Sequence, residues 1–199
     1  MNSYEIALQR VGLVDRSSRG TVEVTGVDRT SFLHGLLTND IKSLVPGRGC
    51  YAAWLTPQGR MITDMRVLVL EERILLDVRA VDVSRIAGRL EQLVFSEDVQ
   101  IHDLTNELSQ MRVVGPGAPQ AVTEALASLT TRPLPVTADE LEHWTDYQSA
   151  RFLSAEGHLL VVRDDELGVI ACDIYTSGRG DDVAAKRVWE ALQQQGIAT

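Results

Sequence analysis

The chain has 199 residues, 44% hydrophobic and 24% charged, which is the composition of a globular protein long enough for one large domain or two small ones. Its formal net charge of −9 argues against nucleic acid or an anionic membrane surface as the main partner, since free-standing binders of either are usually basic. Arg16, Arg19, Arg29, Lys42, Arg48, Arg60, Arg66 and Arg79 crowd the first eighty residues, so that half retains the means to hold an anionic small molecule. Cys50 and Cys172 stand far apart with no second cysteine at CxxC spacing, which disfavours a zinc or redox motif and suits two reduced thiols. Met1 to Arg10 is too mixed for a signal sequence and no run approaches the length of a membrane span, so the expected location is cytoplasmic.

In chain order, Thr21–Thr25 alternates as a short strand and Gly26 breaks it. Asp28 suits the N-cap of a helix running to about Leu37, with Phe32, Leu33, Leu36 and Leu37 at helical spacing. Turn chemistry follows at Thr38-Asn39-Asp40 and at Pro46-Gly47. Cys50–Leu55 reads as a strand, Thr56-Pro57-Gln58-Gly59 as a hairpin connection, Met61–Leu70 as a long strand and Arg73–Arg79 as its antiparallel neighbour. Asp82 suits the N-cap of a helix to about Leu93, and Val99–His102 is a short strand.

A similar series follows. Gln110–Val114 is a strand, and Gly115-Pro116-Gly117 turns into a helix near Pro119–Leu129, with Pro119 in its first turn. Thr130–Thr137 is a loop, Leu159–Arg163 and Val169–Tyr175 are strands, and Asp181 or Asp182 caps a last helix to about Gln195, with Val183, Val188, Trp189 and Leu192 as its buried stripe. The pattern predicts an α+β fold of two ferredoxin-like modules, antiparallel sheets with helices on one face, over residues 1–105 and 106–199.

Asp64 is the residue that stands out, a short carboxylate inside an otherwise apolar strand. Such a group is paired, exposed or used. Its bland reading is a solvent-facing acid paired with Arg66 or Arg79. Asp77 and Arg79, alternating with Leu75, read blandly as the exposed face of an edge strand, Tyr51 and Trp54 as core or sheet-face aromatics, and Asn39-Asp40 as a turn. Cys50 has no partner histidine nearby in sequence, and His34, His102, His143 and His158 are unpatterned, so none is assigned chemistry. Trp144 and Trp189 read as packing.

Val14-Asp15-Arg16-Ser17, Val24-Thr25-Gly26-Val27-Asp28, Phe32-Leu33 through Leu37-Thr38-Asn39-Asp40, and Leu55-Thr56-Pro57-Gln58-Gly59-Arg60 leading to Asp64 together resemble the N-terminal region of the aminomethyltransferase fold. That family holds the glycine-cleavage T-protein and the YgfZ-type folate-binding proteins. Val114-Gly115-Pro116-Gly117-Ala118 resembles its later Gly-Pro-x-Ala turn. The resemblance implies a tetrahydrofolate site amid three domains, with Asp64 near the reactive nitrogen of folate. Asp64 would accept a hydrogen bond from that amine and stabilise developing positive charge. It further implies that Arg79 meets an anionic ligand tail, that Tyr51 and Trp54 stack on a pterin ring, and that the Asn39 segment lies near the ligand. The T-protein has two adjacent acids where this chain has Thr63-Asp64, and an asparagine where it has Arg79, so the YgfZ-type branch is the nearer. That branch carries a downstream Lys-Gly-Cys-Tyr-x-Gly-Gln-Glu motif which, like the expected C-terminal barrel domain, is not in this sequence.

Three functions follow as expectations. The leading one is a tetrahydrofolate-binding protein serving one-carbon metabolism or iron–sulfur cluster maintenance. The second is an active aminomethyltransferase, needing a C-terminal domain or protein partner. The third is an α+β interaction module without a small-molecule site. No metal site is expected.

Overall fold

The computed structural model describes residues 9–130, 133–155, 157–165, 168–178 and 182–197. It divides into a continuous unit, Ser18–Thr105, and a split unit that combines Met1–Ser17 with Asn106–Thr199. Residues 9–17, which the sequence groups with the first module, therefore join the second half. Their strand, β1 (Gly12–Asp15), pairs antiparallel with β7 (Leu108–Val114), Gly12 against Val114. Each unit is an antiparallel sheet with helices, an α+β fold as the sequence predicts.

The continuous unit runs β2 (Arg19–Thr25), α1 (Arg29–His34), β3 (Arg48–Leu55), β4 (Met61–Val69), β5 (Ile74–Arg79), α2 (Val83–Glu91) and β6 (Gln100–Asp103). Its strand order is β3-β4-β5-β2-β6. The split unit adds α3 (Ala118–Leu129), α4 (Ala138–Glu142), β8 (Ser149–Ser154), β9 (Gly157–Asp164), β10 (Ala171–Ser177) and α5 (Val183–Gln193). Its order, β8-β9-β10-β7-β1, repeats the first sheet, with β1 in the place of β6. Gly26 (φ +99°) and Gly115 (φ +120°) make the same left-handed break between strand and helix. At Gly26 a Cβ would stand 2.0 Å from the Asp98 carbonyl oxygen, so only glycine fits.

One face of each sheet packs on its helices. Val22, Val24, Met65, Val67, Ile74, Leu76 and Val78 meet Phe32, Leu33, Ile86 and Leu90 in one core. Met111, Val113, Val161, Cys172 and Ile174 meet Val122, Leu126, Val188 and Leu192 in the other. Val183, placed by its spacing in the buried stripe of α5, is 66% exposed. Asp182 caps that helix by accepting from the Ala184 N–H at 2.8 Å. Asp181 lies outside the described residues.

The first helix is shorter than its pattern suggests, six residues ending at Gly35. Leu37 forms a bridge with Trp54, the Thr38 N–H donates to the Ala53 carbonyl at 3.0 Å, and the Ala53 N–H donates to Thr38 Oγ1 at 2.9 Å. These bonds draw the chain onto the edge of β3, and that pairing outcompetes another helical turn. Asp28 and Asp82 occupy N-cap positions without capping through their side chains. The Asp28 carboxylate accepts from the Asp98 N–H at 2.9 Å, and that of Asp82 is held by Arg85 at 2.8 Å and by Arg79.

The other face of each sheet mixes buried charged groups with buried apolar ones such as Leu68, Leu75, Leu160 and Val162. β5 is a central strand, not an edge, and Asp77 on it is 0% exposed. Arg19 Nε donates to Asp77 Oδ1 at 2.7 Å, and buried Arg66 pairs with Oδ2. In the split unit Arg112 reaches both oxygens of Asp173, at 2.7 and 2.8 Å, and pairs with Asp164. Asp77 faces β2 at Thr21, and Asp173 faces β7 at Arg112, so each acid occupies the centre of its sheet. A buried charge is tolerated when paired and hydrogen-bonded in this way.

Candidate functional site: the β3–β4 ribbon around Asp64

Three of the four candidate ligand contacts come together on the continuous unit. β3 and β4 pair with Tyr51 opposite Arg66 and Ala53 opposite Asp64. Tyr51 and Asp64 are therefore diagonal neighbours on one face, a separation an aromatic side chain can span. The Tyr51 hydroxyl donates to Asp64 Oδ2 at 2.7 Å. Asn39 Nδ2 donates to the Tyr51 carbonyl at 3.0 Å, and Asn39 Oδ1 accepts from the Asp40 N–H at 2.8 Å. The turn after α1 is thereby tied to the strand that carries Tyr51.

Asp64 is exposed and Tyr51 is 46% exposed, so the acid and one aromatic surface face outward together. Neither basic partner of the bland reading is bonded to Asp64. Arg66 is committed to Asp77, and Arg79 to Asp82. Arg79 closes β5 two residues past the last β4–β5 pair, at the register position opposite Asp64, with its side chain 67% exposed. It shares a sheet face with Asp64, but the contact it makes is the ion pair with Asp82.

Trp54 is 3% exposed, sits in the core and stacks beneath the Arg89 guanidinium at 5.4 Å, which removes it from any ligand. Burial pushes the Cys50 thiol up to about 11 and the Cys172 thiol to about 12, so both are protonated and unreactive near neutral pH. Among the described residues no group of three His, Cys, Asp or Glu side chains is arranged to hold a metal ion, and no helix is long and apolar enough to cross a membrane.

The arrangement offers an anion with a fixed orientation beside a half-exposed phenol ring. That set fits an N–H donor on a flat heterocycle, where the carboxylate accepts and the ring supplies apolar contact. The buried pair Arg66–Asp77 directly behind Tyr51 escaped the sequence reading. Its one available signal was the alternation of Asp64, Arg66 and Leu68 with Met65 and Val67, which places Arg66 on the same face as Asp64.

Residues 2–198 match the family model described as the GCVT N-terminal domain. The aminomethyltransferase of Oceanobacillus iheyensis is 26% identical over 200 residues, which span 99% of this chain and 51% of that protein. That of Bacillus subtilis is 34% identical over 116 residues, 58% of this chain and 32% of that protein. Among solved structures, the glycine cleavage system aminomethyltransferase T from Bartonella henselae matches with a TM-score of 0.78 at 20% identity, covering 97% of this chain and 48% of that one. This last likeness is one of fold. The chain spans about half the length of the curated relatives that it matches end to end.

Proposed function

The chain belongs to the GCVT N-terminal domain family and is related to the glycine-cleavage T-protein, and from that premise we propose that it binds tetrahydrofolate on the Asp64 face of its continuous unit. The observation that carries this reading is the Tyr51–Asp64 hydrogen bond, which holds an exposed carboxylate in one orientation instead of spending it on a surface arginine. In this reading Asp64 accepts from a ligand N–H, Tyr51 fixes Asp64 and packs its ring edge on the heterocycle, and Asn39 fixes Tyr51 through its carbonyl. Arg79 meets the anionic tail, exchanging Asp82 for a ligand carboxylate, a competition between two acids for one guanidinium. Tetrahydrofolate would supply the nitrogen that accepts a one-carbon unit. The protein would serve one-carbon metabolism or iron–sulfur cluster maintenance.

A second reading, transfer of a methylene group to the folate, is favoured by the relatives' shared description as aminomethyltransferases. It concerns the longer proteins of which this chain covers half.

Calorimetric titration of the full chain with tetrahydrofolate tests the first reading. We expect saturable heat with the native chain and at least about tenfold weaker binding with Asp64→Asn, which keeps the shape and loses the charge-assisted bond. Binding unchanged by Asp64→Asn moves the site elsewhere, and no heat at high micromolar ligand rejects folate for this chain. Transfer would be read as glycine-dependent methylene formation with the other glycine-cleavage components present.

A further inference from the structure

The aspartates that open α2 and α5 are used differently. Each stands at the N-cap of the helix that follows the strand of a central acid, β5 with Asp77 or β10 with Asp173, so the two are counterparts. Asp182 caps its helix, accepting from the Ala184 N–H at 2.8 Å. Asp82 makes no such bond. Its carboxylate turns instead to two arginines, Oδ1 accepting from Arg85 at 2.8 Å and Oδ2 forming an ion pair with Arg79.

The two contacts are unequal. The bond from Arg85 is directed, whereas the approach of Arg79 lies outside hydrogen-bond geometry. The Arg79 side chain is also the more exposed, 67% against 50% for Arg85. In the split unit the residue two past the central acid, the counterpart of Arg79, is Tyr175, which is buried. An outward guanidinium and an aspartate diverted from capping thus occur together in the unit that carries Asp64, and neither occurs in the other. The same arginines, Arg85 foremost, hold the Asp82 carboxyl below its ordinary value, so it is ionised near neutral pH.

A ligand carboxylate that reaches Arg79 must displace Asp82. The displacement costs the protein little, because Asp82 keeps Arg85, and a buried carboxylate is strongly destabilising only when no partner is left to it. The ligand gains less than it would from an open guanidinium, because the ion pair it makes replaces one already made. We infer that Asp82 is an autoinhibitory competitor built into the site, pairing with Arg79 when no anionic tail is bound, withdrawing to Arg85 when one is, and so lowering the affinity for tailed ligands alone. The inference rests on the folate reading of the Asp64 face. A merely structural Asp82, fastening α2 to the end of β5, would govern the melting temperature and leave affinity alone.

The experiment is calorimetric titration of the full chain with tetrahydrofolate and with 6-methyltetrahydropterin, which lacks the tail, in the native protein, Asp82→Asn, Arg79→Gln and the double variant. Asp82→Asn keeps an oxygen for Arg85 and removes the charge that competes for Arg79. We expect it to bind tetrahydrofolate about two- to fivefold more tightly than the native chain, the scale of one partly exposed ion pair, and to bind the pterin equally. In the Arg79→Gln background the gain should vanish, because the contested guanidinium is gone. An affinity for tetrahydrofolate that is unchanged or weaker in Asp82→Asn overturns the inference and leaves the folate reading standing. A gain that extends to the pterin or survives Arg79→Gln also overturns it, since a general field effect of the acid would then suffice. No heat from tetrahydrofolate with the native chain rejects the folate reading, and the inference with it.

Discussion

The two units set the same strand order on different side chains, and one register position separates them most. In the continuous unit β4 places Asp64 two residues from Arg66, the partner of the central acid's strand. In the split unit the same count along β9 from Val162 reaches Leu160, which is 5% exposed. Opposite, Tyr51 on β3 is answered by Ser149 on β8. The sheet centres, in contrast, are alike, with Asp77 and Asp173 both buried and both paired with arginine. A buried acid at the centre is thus a property of the architecture, whereas an exposed acid at the Asp64 position is a property of one unit. The contrast separates a group that the fold needs from a group that the fold merely carries.

Exchanging the two differing residues should give the largest asymmetry. Leu160→Asp places a carboxylate at a buried position with Arg151 as its cross-strand neighbour and should cost about 2–3 kcal/mol, read from the urea midpoint. Asp64→Leu removes an exposed charge and should stay within about 0.5 kcal/mol. Similar costs for the two would show that Asp64 is structural and would undo the contrast.

The likeness of the centres is tested next. Asp77→Ala removes the acid shared by Arg19 and Arg66 and should cost about 3–5 kcal/mol, and Asp173→Ala removes one of the two acids that Arg112 bonds and should cost about 2–4 kcal/mol. The double replacement Arg66→Met with Asp77→Leu should recover part of the loss, although Arg19 then loses the carboxylate and keeps the carbonyl of residue 77. A small cost at one centre and a large one at the other would end the equivalence.

The smallest effect lies at the start of α2. The Arg85 hydrogen bond, then the charge of Arg79, hold the Asp82 carboxyl below its ordinary value of 3.8. A depressed folded-state pKa gives stability that is present above the unfolded value and is lost as pH falls through the folded one. Asp82→Asn should therefore lower the neutral plateau slightly and flatten the acid limb of the melting temperature below about pH 4, where the native chain loses the same contribution. An acid limb identical to the native one would show that the pairing with Arg85 and Arg79 contributes nothing to folding.

Most of the helices and strands were legible because apolar residues recur at their periods, as at Val83, Ile86 and Leu90 or through Met65 to Val69. The misses share one cause, which is that long-range partners were invisible. β1 is four residues flanked by Arg10 and Arg16, and it is a strand only because β7 receives it. β8, with Arg151 between Ala150 and Phe152, has little pattern of its own and is held by β9. β5 looked like an edge because Asp77 and Arg79 alternate with apolar residues as a solvent face would. The acid is instead neutralised by Arg19 and Arg66 from two other strands. At the candidate site, Asp64 was legible as a lone acid in an apolar strand, and Asn39 and Tyr51 as turn and strand residues. Their mutual hydrogen bonds depend on a β3–β4 register that composition does not state.

The exchange of β1 into the second sheet has a consequence for the order of events during synthesis. The continuous unit is one stretch of chain, and its five strands are all available once Asp103 has been made. The other sheet begins with Gly12–Asp15 and cannot place that strand until β7 appears roughly a hundred residues later, after an entire neighbouring unit has been made. Joining ends that far apart in sequence is entropically costly and slow compared with forming a hairpin. A nascent chain would thus carry β1 unclaimed until β7 has been made, and the sheet of the split unit would close after that of the continuous unit.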